Sequence, residues 1–224
     1  MRLDIRNRTF YAYEAWVAGS QNEVRACPAN DEHQHLIAYR LSVAPAARPL
    51  AFTDYWGTRV DAFGVREPHL SLEIVAEAAV DTSDALPRPP ATGWEGLGEP
   101  AFRERHNEYL GRTPHADWGD LVAEAGREAR VADDLVATVV GVHDLVRERM
   151  AYEPGSTDIG IEVDRVLVEG HGVCQDFAHL SVALCRSVGV PARYVSGYLF
   201  TSSDRTGEDV DGDLVNVQTH AWFE

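Results

Sequence analysis

The chain is poor in cysteine, in positive charge and in long apolar runs, and each shortage excludes a class of protein. Only Cys27, Cys174 and Cys185 occur in 224 residues. An odd number cannot all pair, and none stands in a CxxC spacing, so a disulfide framework is excluded and free thiols in the cytoplasm are expected. Twenty basic residues against 36 acidic ones give a formal net charge of −16 and a pI near 4.9. Phosphate backbones and anionic headgroups repel such a chain, so neither nucleic acid nor a membrane surface is an expected partner. The acid is spread along the sequence, as on a solvated surface. No segment reaches the roughly 18 apolar residues of a membrane span. The opening MRLDIRNRTFYAYEAW has no apolar run and no small-residue cleavage site, so it does not read as a secretory signal.

What is present describes a folded protein in two halves. A 45% hydrophobic and 25% charged composition is that of an ordinary globular chain. The length is about one and a half domains at roughly 150 residues each. In residues 1–85, Ile37, Tyr39, Leu41 and Val43 alternate with polar or small residues, as do Leu70, Leu72, Ile74, Ala76 and Ala78. Period-2 runs of this kind predict an antiparallel β domain. Asp54-Tyr55-Trp56-Gly57-Thr58 reads as a hairpin corner. Four prolines and three glycines between Asp84 and Pro100 predict a linker over 86–100 without regular structure, with Trp94 pinning it to one domain. Residues 101–224 then change period. A helix from Asp117, with that aspartate as N-cap, and a second carrying Leu135, Val139, Val142, Val146 and Met150 on one face are predicted.

Chemistry gathers in the last 56 residues. In EGHGVCQDFAHLSVALCRSVGVPARYVSGYLF, an apolar helix begins at Cys174 and is stopped by Gly189 and Pro191. A thiol at a helix N-terminus sits near the positive end of the macrodipole and near unpaired N–H groups, both of which favour thiolate. The same N–H groups can hold an oxyanion. Gly170 and Gly172 allow a tight turn and close approach of a substrate. Asp176 reads as a first-turn cap, and Cys185 as a core thiol in the apolar stripe. Cys27 reads as an incidental loop cysteine. His220 lies on a predicted strand, on one face with Asn216, Gln218 and Trp222. His33 and His35 lack a third ligand nearby, so neither a metal nor a cofactor is expected.

A cysteine at a helix start, then a strand, then a histidine on a further strand, in the words GVCQDFAHLSVALCRSVGVPARYVSGYLF and THAWFE, resembles the core of the transglutaminase-like superfamily. That fold is related to the papain-type cysteine proteases. The first half, with DYWGTRV, resembles the β domain that precedes the core in a bacterial branch. The resemblance implies an α+β protein: an antiparallel β domain, then a papain-like core whose central Cys-bearing helix packs on an antiparallel sheet. It implies Cys174 as nucleophile and His220 as general base, acting on a protein or peptide amide through a thioester. Hydrolysis is expected over transamidation. The family's aspartate after the histidine has no counterpart before Glu224, while Asp209, Asp211 and Asp213 match no family position. Two alternatives remain: a core cut short after the His220 strand, whose open edge a second copy could complete, or a binding module using the same cleft. Either way this 224-residue form is expected to be a weak catalyst.

Overall fold

The structure, a computed structural model, describes residues 1–83, 93–158, 160–200, 210–211, 214–215 and 219–224. The chain divides into two compact units, Met1–Pro87 and Arg88–Glu224.

The first unit is all β. Its strands are β1 (Arg2–Val17), β2 (Ser20–Val24), β3 (Gln34–Ala44), β4 (Leu50–Thr53), β5 (Arg59–Val65) and β6 (His69–Thr82). They form two antiparallel three-stranded sheets, ordered β1-β6-β3 and β2-β5-β4. The alternation in β6 puts Leu72, Ile74, Ala76, Ala78 and Val80 inside, as a half-buried strand requires. Leu70 falls where the β1–β6 register shifts, and it is exposed. Phe63, Val65, Leu72 and Ile74 make the core of this unit. The predicted corner between β4 and β5 forms: Asp54 Oδ1 accepts from the N–H groups of Trp56 (3.0 Å) and Thr58 (2.9 Å). Gly57 there takes φ +81°, which favours glycine. Cys27 lies in the loop between β2 and β3. It is half-buried beside Arg59 and Asp61, and burial pushes its thiol upward.

The second unit holds α1 (Trp94–Gly98), α2 (Pro100–Arg105), a 3-10 turn (Asn107–Tyr109), α3 (Asp120–Ala129), α4 (Leu135–Arg149), β7 (Ala151–Tyr152) and α5 (Val163–Glu169). These are followed by β8 (His171–Gly172), α6 (Cys174–Ser187), β9 (Tyr194–Tyr198), β10 (Val210–Asp211), β11 (Leu214–Val215) and β12 (Thr219–Phe223). Among the described residues β12 pairs with β9 alone, antiparallel. Helix α6 is the centre of the unit, packed by α3, α4 and α5 and by the β9–β12 ribbon. It is buried well beyond one stripe: Leu180, Val182 and Ala183 are buried along with Leu184 and Cys185. Single-stripe burial suits a surface helix, whereas one apolar all round belongs in the middle.

Two sequence expectations are corrected here. The stretch expected to lack regular structure carries α1 and starts α2, with Pro100 at the first turn of α2. There proline's missing N–H costs nothing and its φ is already helical. Residues 84–92 lie outside the described residues. Trp94 does anchor the segment: its indole donates to Val131 O (3.1 Å), and Arg130 lies over its ring at 4.3 Å. Asp117 is not an N-cap, since α3 begins at Asp120 and Asp117 pairs instead with Arg112 at 3.2 Å. A carboxylate from another helix does the capping. Asp164, in the first turn of α5, accepts from Gly119 N–H (2.5 Å) and Val122 N–H (3.4 Å).

Candidate active site

The approach to Cys174 is shaped by two glycines with different tasks. Gly170 ends α5 in the left-handed conformation, φ +69°, the usual helix-stop geometry. Gly172 serves close approach, although not to a substrate. A Cβ there would stand 2.8 Å from both Cβ and Oδ2 of Asp176. Between them β8 pairs parallel with β7, fixing the path into α6.

Asp176 holds the start of that helix. It is 2% exposed, and its Oδ2 accepts from Val173 N–H (2.8 Å) and Thr157 O–H (2.6 Å). This is the cap expected from the sequence, strengthened by a hydroxyl from the loop before α5. Cys174 follows as the first helical residue, half-exposed and unpaired. Asp176 N–H bonds back to Val173 O (2.9 Å), while the N–H groups of Cys174 and Gln175 have no intrahelical acceptor, so the thiol opens beside two available donors. Cys185, on the same helix, is 1% exposed, and burial pushes its thiol up to about 12.

His220 is half-buried on β12, opposite Gly197 of β9. Ala221 is buried and Phe223 packs on the core, so alternation puts His220 and Trp222 on the other side of the strand. The Trp222 ring covers Gly197 closely enough that a Cβ there would lie 2.7 Å from it. The ribbon carrying His220 and the helix carrying Cys174 are thus packed together. Among the described residues no hydrogen bond joins the two side chains. Asn216 and Gln218, expected on the same face, lie outside the described residues, as do Asp209 and Asp213 and the side chain of Asp211.

Three rings that the sequence reading passed over stand on the flank of α6. His179 stacks on His115 (centroids 5.3 Å apart, 28° between planes) and on Tyr194 of β9 (4.6 Å, 16°). Burial, with the neighbouring His115, brings the His179 imidazole down to about 4 against the nearby carboxylate of Asp176. Burial also raises the Tyr194 phenol, helped by the negative charges available at Cys174 and Asp176, so Tyr194 shares the environment of the thiol. Gln175, His115 and His179 line a pocket of about 80 Å³ with Asp176, floored by Ile161, Val163 and Val166. His171 is half-buried on β8 and does not line it; its Nδ1 is buried without a partner among the described residues. The described residues hold no cluster of three metal-ligating side chains.

A half-exposed thiol at the start of a central helix, with a histidine-bearing antiparallel ribbon packed on that helix, is the layout of a papain-like core. Family comparison agrees. Residues 125–224 match the transglutaminase-like superfamily, and residues 3–81 match the bacterial transglutaminase-like N-terminal region. The chain belongs to the transglutaminase-like superfamily, whose members are typically cysteine hydrolases or acyltransferases. It is 34% identical over 223 residues to an uncharacterised protein of Mycobacterium leprae, covering all of this chain and 78% of that one. An uncharacterised Mycobacterium tuberculosis protein is 32% identical over 233 residues, with 99% and 72% coverage. In fold the chain is similar to a Cytophaga hutchinsonii protein provisionally assigned as a cysteine protease. That match has a TM-score of 0.74 at 22% identity and covers the whole of this chain and 72% of that one.

Proposed function

We propose that this chain performs cysteine-dependent acyl transfer on an amide, with Cys174 as nucleophile and His220 as its base and acid. The observation that carries the reading is the placement of Cys174 half-exposed at the first position of a helix that is buried without a break from Leu180 to Arg186. A structural cysteine in such a helix would sit where Cys185 does.

The chemistry balances in two halves. The Cys174 thiolate adds to the amide carbonyl, and first-turn N–H groups hold the oxyanion. Collapse breaks the C–N bond, the leaving amine takes the proton held by the His220 imidazolium, and a thioester remains. Water then gives its proton to the imidazole and adds to the thioester, and the acid leaves as the thiolate is restored. An amine in place of water gives the transamidated product. Hydrolysis is the default, because water needs no dedicated site. The same reading puts the chain in the cytoplasm, where three unpaired thiols stay reduced; cell fractionation checks it.

A second reading has a specific observation behind it. The missing hydrogen bond between Cys174 and His220 suits a cleft that binds without reacting. Turnover of a glutamine-containing peptide amide by the chain and by Cys174→Ala and His220→Ala separates the two. Acyl transfer predicts release of ammonia by the native chain, its loss in Cys174→Ala and a fall of at least about tenfold in His220→Ala. Binding without turnover in all three supports the second reading.

A further inference from the structure

We propose that Thr157 is a positioning residue for the nucleophile: by donating to Asp176, its hydroxyl restrains the carboxylate charge two residues after Cys174 and so favours the thiolate. That role rests on the acyl-transfer reading, in which Cys174 must ionise before it attacks.

The segment after α4 runs beside the start of α6 and is tied to it at three points. Ala151 N–H donates to Gly170 O (2.8 Å) and Glu153 N–H to Gly172 O (2.9 Å). Those two bonds join backbone to backbone and owe nothing to side-chain identity. The third is made by a side chain: Thr157 Oγ1 donates to Asp176 Oδ2 at 2.6 Å, the length of a charge-assisted O–H···O⁻ bond. Asp176 is 2% exposed, and the other donor on the same oxygen is the Val173 N–H at 2.8 Å. That N–H already caps the helix, so capping alone does not call for the hydroxyl.

Electrostatics does. A carboxylate two residues from a thiol opposes its ionisation, and burial makes the opposition stronger than water would allow. The two groups share one neighbourhood: charge at Cys174 and at Asp176 both act on the Tyr194 phenol, and Asp176 also acts on the His179 imidazole. A donor on Oδ2 sets the positive end of an O–H dipole against the carboxylate and weakens its field. With Asp176 buried, water does not substitute for that donor. The other ionisable groups around the thiol stay as they are when Thr157 is changed. They are His220 on β12, Tyr194 on β9, His171 on β8, His115 and His179 at the pocket, and Glu153 and Asp158 on the segment that carries Thr157. The charged groups of α3, α4 and α5 are exposed, apart from Asp164 and Glu169, which are taken by Gly119 and Arg165.

Alkylation of Cys174 by iodoacetamide from about pH 5 to pH 10, followed in the whole chain at its own peptide by mass spectrometry, tests the role. Thr157→Val exchanges the hydroxyl for a methyl of similar size. The midpoint of its profile is expected to rise by at least about 0.5 unit, roughly a threefold lower rate on the acid side. Thr157→Ser keeps the donor and restores the native profile. Asp176→Asn removes the charge while keeping an acceptor, and its midpoint falls below that of the native chain. Opposite shifts mark an electrostatic role, since a helix start that is merely displaced moves both variants the same way. An unchanged midpoint in Thr157→Val, a Thr157→Ser profile that follows Thr157→Val, or a rise in Asp176→Asn overturns the proposal. The two Thr157 variants decide by themselves where Asp176→Asn fails to fold. Ammonia release from the glutamine-containing peptide, followed separately, tests the acyl-transfer reading. A shifted profile with no release sinks only the catalysis, and release with coincident profiles sinks only the role of Thr157.

Discussion

Two cysteines eleven positions apart on one helix differ in every property that matters for chemistry. Cys174 meets solvent at the helix start, and Cys185 is sealed in the core with its thiol pushed up to about 12. Iodoacetamide at pH 8 is therefore expected to label Cys174 in the folded chain and Cys185 only after denaturant, read by mass spectrometry of the two peptides. Cys185→Ala should lower stability by about 1 kcal/mol, the loss of one small core side chain, and leave labelling at Cys174 unchanged. His179 gives a pH-dependent counterpart. Its imidazole lies near 4 in the folded chain against an ordinary 6.5, so the unfolded chain binds the extra proton between those values. Stability from this group is then complete above about 6.5 and lost as pH falls toward 4. Discounted for the solvent at its edge, the loss is on the order of 1–2 kcal/mol. His179→Gln should flatten that part of the stability–pH curve measured by urea unfolding; an unchanged slope contradicts the assignment. Asp176 was legible as a first-turn cap and caps the helix, whereas the roles read for Cys174 and His220 come from the family resemblance of the segments around them. His115 and Tyr194 were not legible, since ring stacking across distant segments leaves no periodic trace. His179 left a faint one, three residues after Asp176 on the same helix.

At the level of elements, position within the helix decided what the composition alone misread. Pro100 looked like a breaker and is a helix starter, and Asp117 looked like a cap while Asp164 from α5 does that work. Capping by a residue remote in sequence is a tertiary fact, invisible to a window of neighbours. The strands fared better, since alternation survives wherever one face is buried: β3, β6 and the β4–β5 corner all form where the pattern predicts. The start of α6 offers a sharp test. Gly172→Ala would push a methyl to 2.8 Å from Asp176, a side chain already fixed by two hydrogen bonds. A cost of roughly 1–3 kcal/mol from overpacking follows. Chemical denaturation should show it, together with slower alkylation of Cys174 as the helix start is displaced. A neutral substitution would mean that Asp176 does not hold the turn.

For the whole molecule, the two units and the charge are the governing facts. A net charge of −16 makes the folded state repel itself, and added salt screens that repulsion over about 10 Å at 0.1 M and 3 Å at 1 M. Raising sodium chloride from about 0.05 to 0.5 M is expected to raise Tm by a few degrees, read by calorimetry; a fall would put attractive ion pairs in charge of stability. The family match covers both units, and the chain spans 78% and 72% of its mycobacterial relatives.

The central claim is that Cys174 and His220 act as one unit, and the rate at which iodoacetamide alkylates Cys174 at pH 6.5 tests it most directly. A thiolate supported by a neighbouring imidazolium reacts where an ordinary thiol, half-ionised only near 8.5, is almost silent. The native chain should therefore alkylate at least about tenfold faster than His220→Gln, with both proteins folded and Cys185 protected. Equal rates in the two proteins would contradict the pairing and leave Cys174 a half-exposed thiol without a base.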